Sequence, residues 1–204
     1  RTGYPRWLEP AVKNDSLLIY PLLFFVMPPL MKPDSEIVAP IRCMISDVDG
    51  VMTNGLITYN STGVESKSFH VRDGLAIKLW MRSGFEFGII TARESSVVSM
   101  RAKELGIKCV VQGCSDKAAA ATELLDRWGY GWQDACYVGD DLPDLPVLQR
   151  VGLSVAPSDG AKDVTDSADW ILKAAGGEGV LRECVERILR AKGRWEQHVP
   201  QAIR

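Results

Sequence analysis

The sequence predicts an α/β fold: a doubly wound, mainly parallel, Rossmann-like sheet with a β-hairpin flap and no cap domain. Three observations predict it. From residue 41 onward, short apolar runs alternate with segments of helical period. The connections between them are short, as in strand–helix–strand units with a sheet covered on both faces. Polar residues able to do chemistry stand directly after the apolar runs, where ligands sit in such sheets.

The elements follow in order. "IRCMIS" (41–46) reads as a buried strand. "LITY" (56–59) and "SKSFHV" (66–71), joined by the turn-rich "NSTG", read as a hairpin. "GLAIKLWMRSG" (74–84) sets Leu75, Ala76, Leu79 and Trp80 on one helical stripe closed by a glycine. Strand "FEFGII" (85–90), helix "ESSVVSMRAKELG" (94–106), strand "KCVVQG" (108–113) and helix "DKAAAATELLDRWG" (116–129) come next. Strand "ACYVG" (135–139) leads to helix "LPDLPVLQRVG" (142–152) and strand "LSVA" (153–156). "DWIL" (169–172) is expected as an edge strand and "VLRECVERILRAKG" (180–193) as a closing helix.

At 204 residues and a formal net charge of -2, the chain has the size of one domain and no electrostatic footprint for nucleic acid. Five scattered cysteines without a CxxC pair suit a reducing cytoplasm, with Cys43 and Cys136 as small core residues. Residues 1–40 read as an N-terminal extension, 41–193 as the core and 194–204 as a tail. The apolar stretch 16–30 is short for a membrane span and is broken by Pro21, Pro28 and Pro29, so no membrane partner is expected. Met27 and Met31 are sensible starts of the chain.

Asp47 and Asp49 follow the first strand, Thr91 and Arg93 the second, Lys117 the third, and Asp140 and Asp141 the fourth. In a parallel sheet all four groups meet at one rim. Read singly, each is a turn, a helix cap or a solvated charge. Together they are a chemical inventory. Clustered carboxylates repel until a divalent cation joins them, and oxygen donors without His or Cys select Mg²⁺. Thr91 and nearby backbone N–H groups suit phosphate oxygens, and Lys117 supplies a compact positive charge. The set fits phosphoryl transfer through a carboxylate nucleophile.

"DVDGVMTNG", "TAR", "DK" and "VGDDLPDLPVL" resemble the four motifs of the haloacid dehalogenase superfamily. "FHVRDGLAIKLW" and "AGGEGVLREC" resemble its small capless branch, whose type members are 3-deoxy-D-manno-octulosonate 8-phosphate phosphatases. The resemblance runs from about residue 41 to 192. It implies that Asp47 is the phosphorylated nucleophile, and that Asp49 protonates the leaving alkoxide and then activates water. It implies Mg²⁺ held by Asp47, the Asp49 carbonyl and Asp140, with Asp141 behind, and a phosphoryl group bound by Thr91 and Lys117.

For the substrate, the resemblance implies His70, Val71, Arg72, Asp73 and Gly74 together with Lys78, Arg93 and Arg101. His70 stands where members of the branch often have Asn. Between Asp47 and Thr91 there is room for a hairpin and one helix only, so another cover is needed to exclude water. The branch implies a homotetramer in which hairpin 53–70 covers a neighbouring active site. The implied substrate is a phosphorylated 2-keto-3-deoxy sugar acid of eight carbons. The alternatives are its nine-carbon analogue, or a non-catalytic assembly module related to sugar-nucleotide synthetases.

Overall fold

Buried, β-branched and sulfur-bearing residues build the centre of the sheet. The structure, a computed structural model, describes residues 32–200. The apolar stretch 16–30 and the starts at Met27 and Met31 lie outside the described residues. Strand β1 (Cys43–Ser46) is fully buried and pairs in parallel with both β4 (Glu86–Ile90) and β6 (Ala135–Val138). Strand β5 (Cys109–Val111) flanks β4, while β7 (Leu153–Ala156) and β8 (Trp170–Ile171) extend the other side. The order is therefore β5-β4-β1-β6-β7-β8, with every pairing parallel. The chain leaves β1 toward β4 and returns on its other side at β6, so the switch in strand order falls at β1.

Helices cover both faces. On one lie α1 (Asp34–Val38), α2 (Val71–Arg82), α3 (Ser96–Leu105) and α7 (Val180–Ala191), packed through residues such as Val38, Trp80, Val98 and Ile188. On the other lie α4 (Lys117–Trp128), α5 (Leu145–Leu148) and α6 (Lys162–Thr165), packed through Ala121, Leu124, Val147 and Val164. The expected doubly wound sheet is present.

Several expectations are corrected in detail. The 142–152 segment is not one helix: a 3₁₀ turn, Leu142–Asp144, precedes the four-residue α5. Pro143 and Pro146 lack the N–H a continuous helix requires. On α2 the buried stripe is Ala76, Ile77, Leu79 and Trp80, while Leu75 is exposed. The helix begins at Val71, three residues before the expected start, because His70 Nδ1 caps it by accepting the Arg72 N–H at 3.2 Å. That cap also ends the hairpin's second strand early. Its strands β2 (Thr58–Tyr59) and β3 (Glu65–Ser66) are two residues each.

Packing reaches beyond the 41–193 span at both ends. Val38 belongs to the core, and Asp34 forms a two-pronged ion pair with Arg187 at 2.7 and 2.8 Å. Trp195 is 4 % exposed, with the Arg182 guanidinium 4.8 Å from its ring. Cys43 and Cys136 are buried core residues, as expected of small hydrophobes, and Cys184 is buried as well.

Candidate active site

The parallel register sets the site. Ser46 pairs with Val138, and the Asp47 N–H donates to the Val138 carbonyl at 3.0 Å. Asp47 and Asp140 therefore emerge side by side from neighbouring strands. Carboxylate oxygens of Asp47, Asp140 and Asp144 all lie within 4.8 Å of one another. Lys117, the first residue of α4, is 4 % exposed and reaches into this group, with Nζ 2.8 Å from Asp47 Oδ2 and 2.7 Å from Asp144 Oδ1. Asp116 holds that helix start by accepting the Ala119 N–H at 2.9 Å.

Asp144 is the member that sequence reasoning missed. Asp141 was expected behind the metal, but its exposed carboxylate instead caps the 3₁₀ turn by accepting the Leu142 N–H at 2.8 Å. Asp144 Oδ1 accepts from Lys117 and from the Tyr137 hydroxyl at 2.6 Å, while Oδ2 accepts the Asp140 and Asp141 N–H groups at 3.0 and 3.2 Å. Both of its oxygens are thus engaged by the protein, which makes it a brace for Lys117 and for the loop carrying Asp140. Its position four residues after Asp140 in "GDDLPD" was the available signal.

Burial and mutual repulsion strain the carboxylates. Burial first, then Asp144, pushes the Asp47 carboxyl up to about 6 against the opposing pull of Lys117. Burial, then Asp47 and Asp144, pushes Asp140 up to about 8. Lys117 stays above its ordinary value although burial opposes this, because two carboxylates face it. Asp140 Oδ1 is buried and, among the described residues, without a hydrogen-bond partner. An all-oxygen donor set with an orphaned, repelled carboxylate fits a hard divalent cation.

Two glycines make room for this geometry. A Cβ on Gly50 (φ 93°) would stand 1.9 Å from Asp140 Oδ2. A Cβ on Gly176 would stand 2.2 Å from the Gly50 carbonyl, so the "AGGEG" loop packs directly on the turn after Asp49. The Gly177 N–H completes that contact at the Val51 carbonyl, 3.0 Å away.

Asp49 faces the hairpin. Its Oδ1 accepts from Thr53 Oγ1 at 3.3 Å and forms an ion pair with Lys67, a residue absent from the sequence expectations. Arg93 lies 3.8 Å from Asp49 Oδ2 and 3.1 Å from Glu65, and donates to the Tyr59 hydroxyl at 3.2 Å. The Ser95 hydroxyl donates to Glu65 instead of capping α3, and this bond, with Arg93 and Lys67, holds the Glu65 carboxyl below its usual range.

The remaining expected residues divide. Thr91 is buried at the end of β4, its N–H on the Val111 carbonyl at 2.9 Å and its carbonyl accepting from Cys114 at 3.1 Å. Val71 and Arg101 line a 300 Å³ cleft with Lys67 and Phe69, and so adjoin Asp49 through Lys67. Gly74 faces the Arg101 guanidinium, which also stacks 5.6 Å over Phe69. His70 and Arg72 open instead on a 930 Å³ groove along α7, which none of the clustered carboxylates lines. Asp73 is buried and accepts the Arg182 N–H at 2.7 Å, so it caps α7. Lys78 is not brought to the site. It lines a groove with Phe85, Glu86 and Cys109, at the opposite ends of β4 and β5.

Comparison with known proteins agrees with this fold. The signature of haloacid dehalogenase-like hydrolases matches residues 110–183. The chain is 41% identical over 163 residues to the 3-deoxy-D-manno-octulosonate 8-phosphate phosphatase of Escherichia coli K12, covering 80% of this chain and 87% of that protein. It belongs to that phosphatase family. A solved family member from Yersinia pestis superposes with TM-score 0.79 at 40% identity, over 81% of this chain and 90% of that one. The family's Moraxella catarrhalis member, solved with magnesium, phosphate and 3-deoxy-D-manno-octulosonate (KDO), gives TM-score 0.79 at 37% identity, over 81% and 95%.

Proposed function

We propose that the chain is a Mg²⁺-dependent phosphatase that hydrolyses 3-deoxy-D-manno-octulosonate 8-phosphate to the free sugar acid and phosphate, a step toward lipopolysaccharide precursors. The observation that carries the reading is the rim where Lys117 bridges Asp47 and Asp144 beside the orphaned Asp140 oxygen. Relatives bearing this activity by name support the choice of substrate.

In this reading Asp47 attacks phosphorus and becomes an aspartyl phosphate. Lys117 keeps that carboxylate ionised and oriented and faces the phosphoryl oxygens. Asp49 protonates the departing alkoxide and then takes the proton of the attacking water. Thr91 adds a hydroxyl to the phosphoryl cradle. Asp47 and Asp140, with the Asp49 carbonyl, would hold Mg²⁺, which neutralises charge on carboxylates and phosphate together. Arg101, at the cleft lined by Lys67, and Arg93, beside Asp49, serve the sugar acid; its carboxylate suits a guanidinium fork.

The same reading includes a homotetramer in the cytoplasm. Leu56, Ile57, Tyr59 and Val64 leave apolar surface exposed on and beside the hairpin, as a flap that meets a neighbouring subunit would. The five free cysteines suit a reducing compartment. Among the described residues no helix is long and apolar enough to cross a membrane.

The test is phosphate release from the eight-carbon and nine-carbon sugar-acid phosphates, with Mg²⁺ and with a chelator. Faster turnover of the eight-carbon substrate, lost with the chelator, is expected. Preference for the nine-carbon acid would reassign the substrate, and inertness toward both would overturn the phosphatase reading. Gel filtration giving an active monomer would remove the tetramer.

A further inference from the structure

We propose that Lys67 is a positioning residue for the acid–base work of Asp49, supplied by the hairpin of the same chain. This rests on the phosphatase reading above. The Lys67 side chain is 1 % exposed, although lysine is almost never buried without partners. Its partners are Asp49 Oδ1, with which it forms an ion pair, and Glu65 Oε1 at 3.6 Å. Glu65 is itself anchored by the Ser95 hydroxyl and by Arg93 at 3.1 Å. The ammonium is therefore fixed from both sides.

The consequence for Asp49 is a distinction between its two oxygens. Oδ1 accepts from Lys67 and from Thr53 Oγ1 at 3.3 Å. Among the described residues Oδ2 has no hydrogen-bond partner; Arg93 Nε stands 3.8 Å away, beyond hydrogen-bond reach. Two donors on Oδ1 leave Oδ2 as the oxygen that carries the transferable proton. In the first half-reaction the bond from Asp47 to phosphorus forms, the bond to the alkoxide breaks, and the Oδ2 proton goes to the alkoxide. In the second, water adds to phosphorus, the bond to Asp47 breaks, and Oδ2 receives the water proton. Lys67 keeps its own protons throughout. Lys67 edges the cleft, but its side chain is 1 % exposed and its ammonium is already engaged by two carboxylates, which separates it from Arg93, whose side chain is 39 % exposed.

The experiment compares substituted phenyl phosphates, from 4-nitrophenyl to unsubstituted phenyl. These share one shape and differ in the basicity of the leaving oxygen. kcat/KM covers the steps through release of the phenol, and proton donation matters most for the more basic leaving group. Lys67→Met is expected to tilt the plot of log(kcat/KM) against leaving-group pKa. The loss on phenyl phosphate should exceed the loss on 4-nitrophenyl phosphate by about tenfold or more, within the usual range for acid–base catalysis. Lys67→Arg, which keeps a donor, should restore the wild-type slope. A line that drops without tilting, or does not move, overturns the proposal. If Lys67→Met does not fold, Glu65→Gln carries the same test through the anchor, with a smaller tilt expected and a parallel line again contradicting it. The wild-type plot is recorded first: an enzyme inert toward the whole series sinks the phosphatase reading, whereas an active enzyme with an untilted variant sinks only the role of Lys67.

Discussion

Gly50 and Asp140 stand so close that a methyl group on the glycine would lie 1.9 Å from Asp140 Oδ2. The turn after Asp49 and the loop after β6 are thereby fitted to each other, although about ninety residues of chain separate them. The glycine of "DVDG" is there for this contact as much as for its positive φ.

Gly50→Ala is expected to push Asp140 out of line with Asp47. Its apparent Mg²⁺ affinity should fall by about 10–100-fold, the range for disturbing the support of a metal ligand. A titration of activity against Mg²⁺ measures it. Unchanged affinity would show that the Asp140 loop relaxes freely.

Asp144→Asn removes the charge that Lys117 shares with Asp47 while keeping the side chain's shape. Lys117 is then held by one carboxylate, and an amide group faces donors on both sides. The expected loss in kcat is about 10–100-fold, read at saturating Mg²⁺. Near wild-type turnover would confine Asp144 to packing.

The pH dependence of stability follows from two raised carboxyls. Asp47 and Asp140 move from 3.8 to about 6 and about 8 on folding without a cation. The folded metal-free protein therefore keeps protons that the unfolded chain releases, and its stability falls as pH rises from about 4 toward 8. Mg²⁺ displaces those protons and relieves the repulsion. The gain in melting temperature on adding Mg²⁺ should accordingly be larger at pH 8 than at pH 5.5. An increment independent of pH would contradict the cluster as the metal site.

Asp73→Ala uncaps α7 by removing the acceptor of the Arg182 N–H. A stability loss of about 0.5–2 kcal/mol is expected, as for other lost caps, measured by denaturant unfolding. No loss would return Asp73 to a purely substrate-binding role.

The strand pattern made the sheet legible, because each buried strand is a short apolar run that ends at a polar turn. The rim was legible for the same reason: Asp47 and Thr91 directly follow strands, Asp140 comes two residues after one, and Lys117 opens the helix after another. Asp144 was not, because its role depends on a 3₁₀ turn at Leu142–Asp144 that aims it back toward Lys117. Lys67 was hidden in a hairpin that reads as solvated, since "NSTGVESKS" gives no sign that its lysine folds under to Asp49. Nor does periodicity reveal that Asp73 caps a helix more than a hundred residues away.

The nucleophile is the central claim, and chemical trapping tests it most directly. Protein quenched during turnover of the sugar-acid phosphate and reduced with borohydride should carry homoserine in place of Asp47, the product expected of an aspartyl phosphate there. Recovery of unmodified Asp47 at every quench time, with phosphate still being released, would contradict the account.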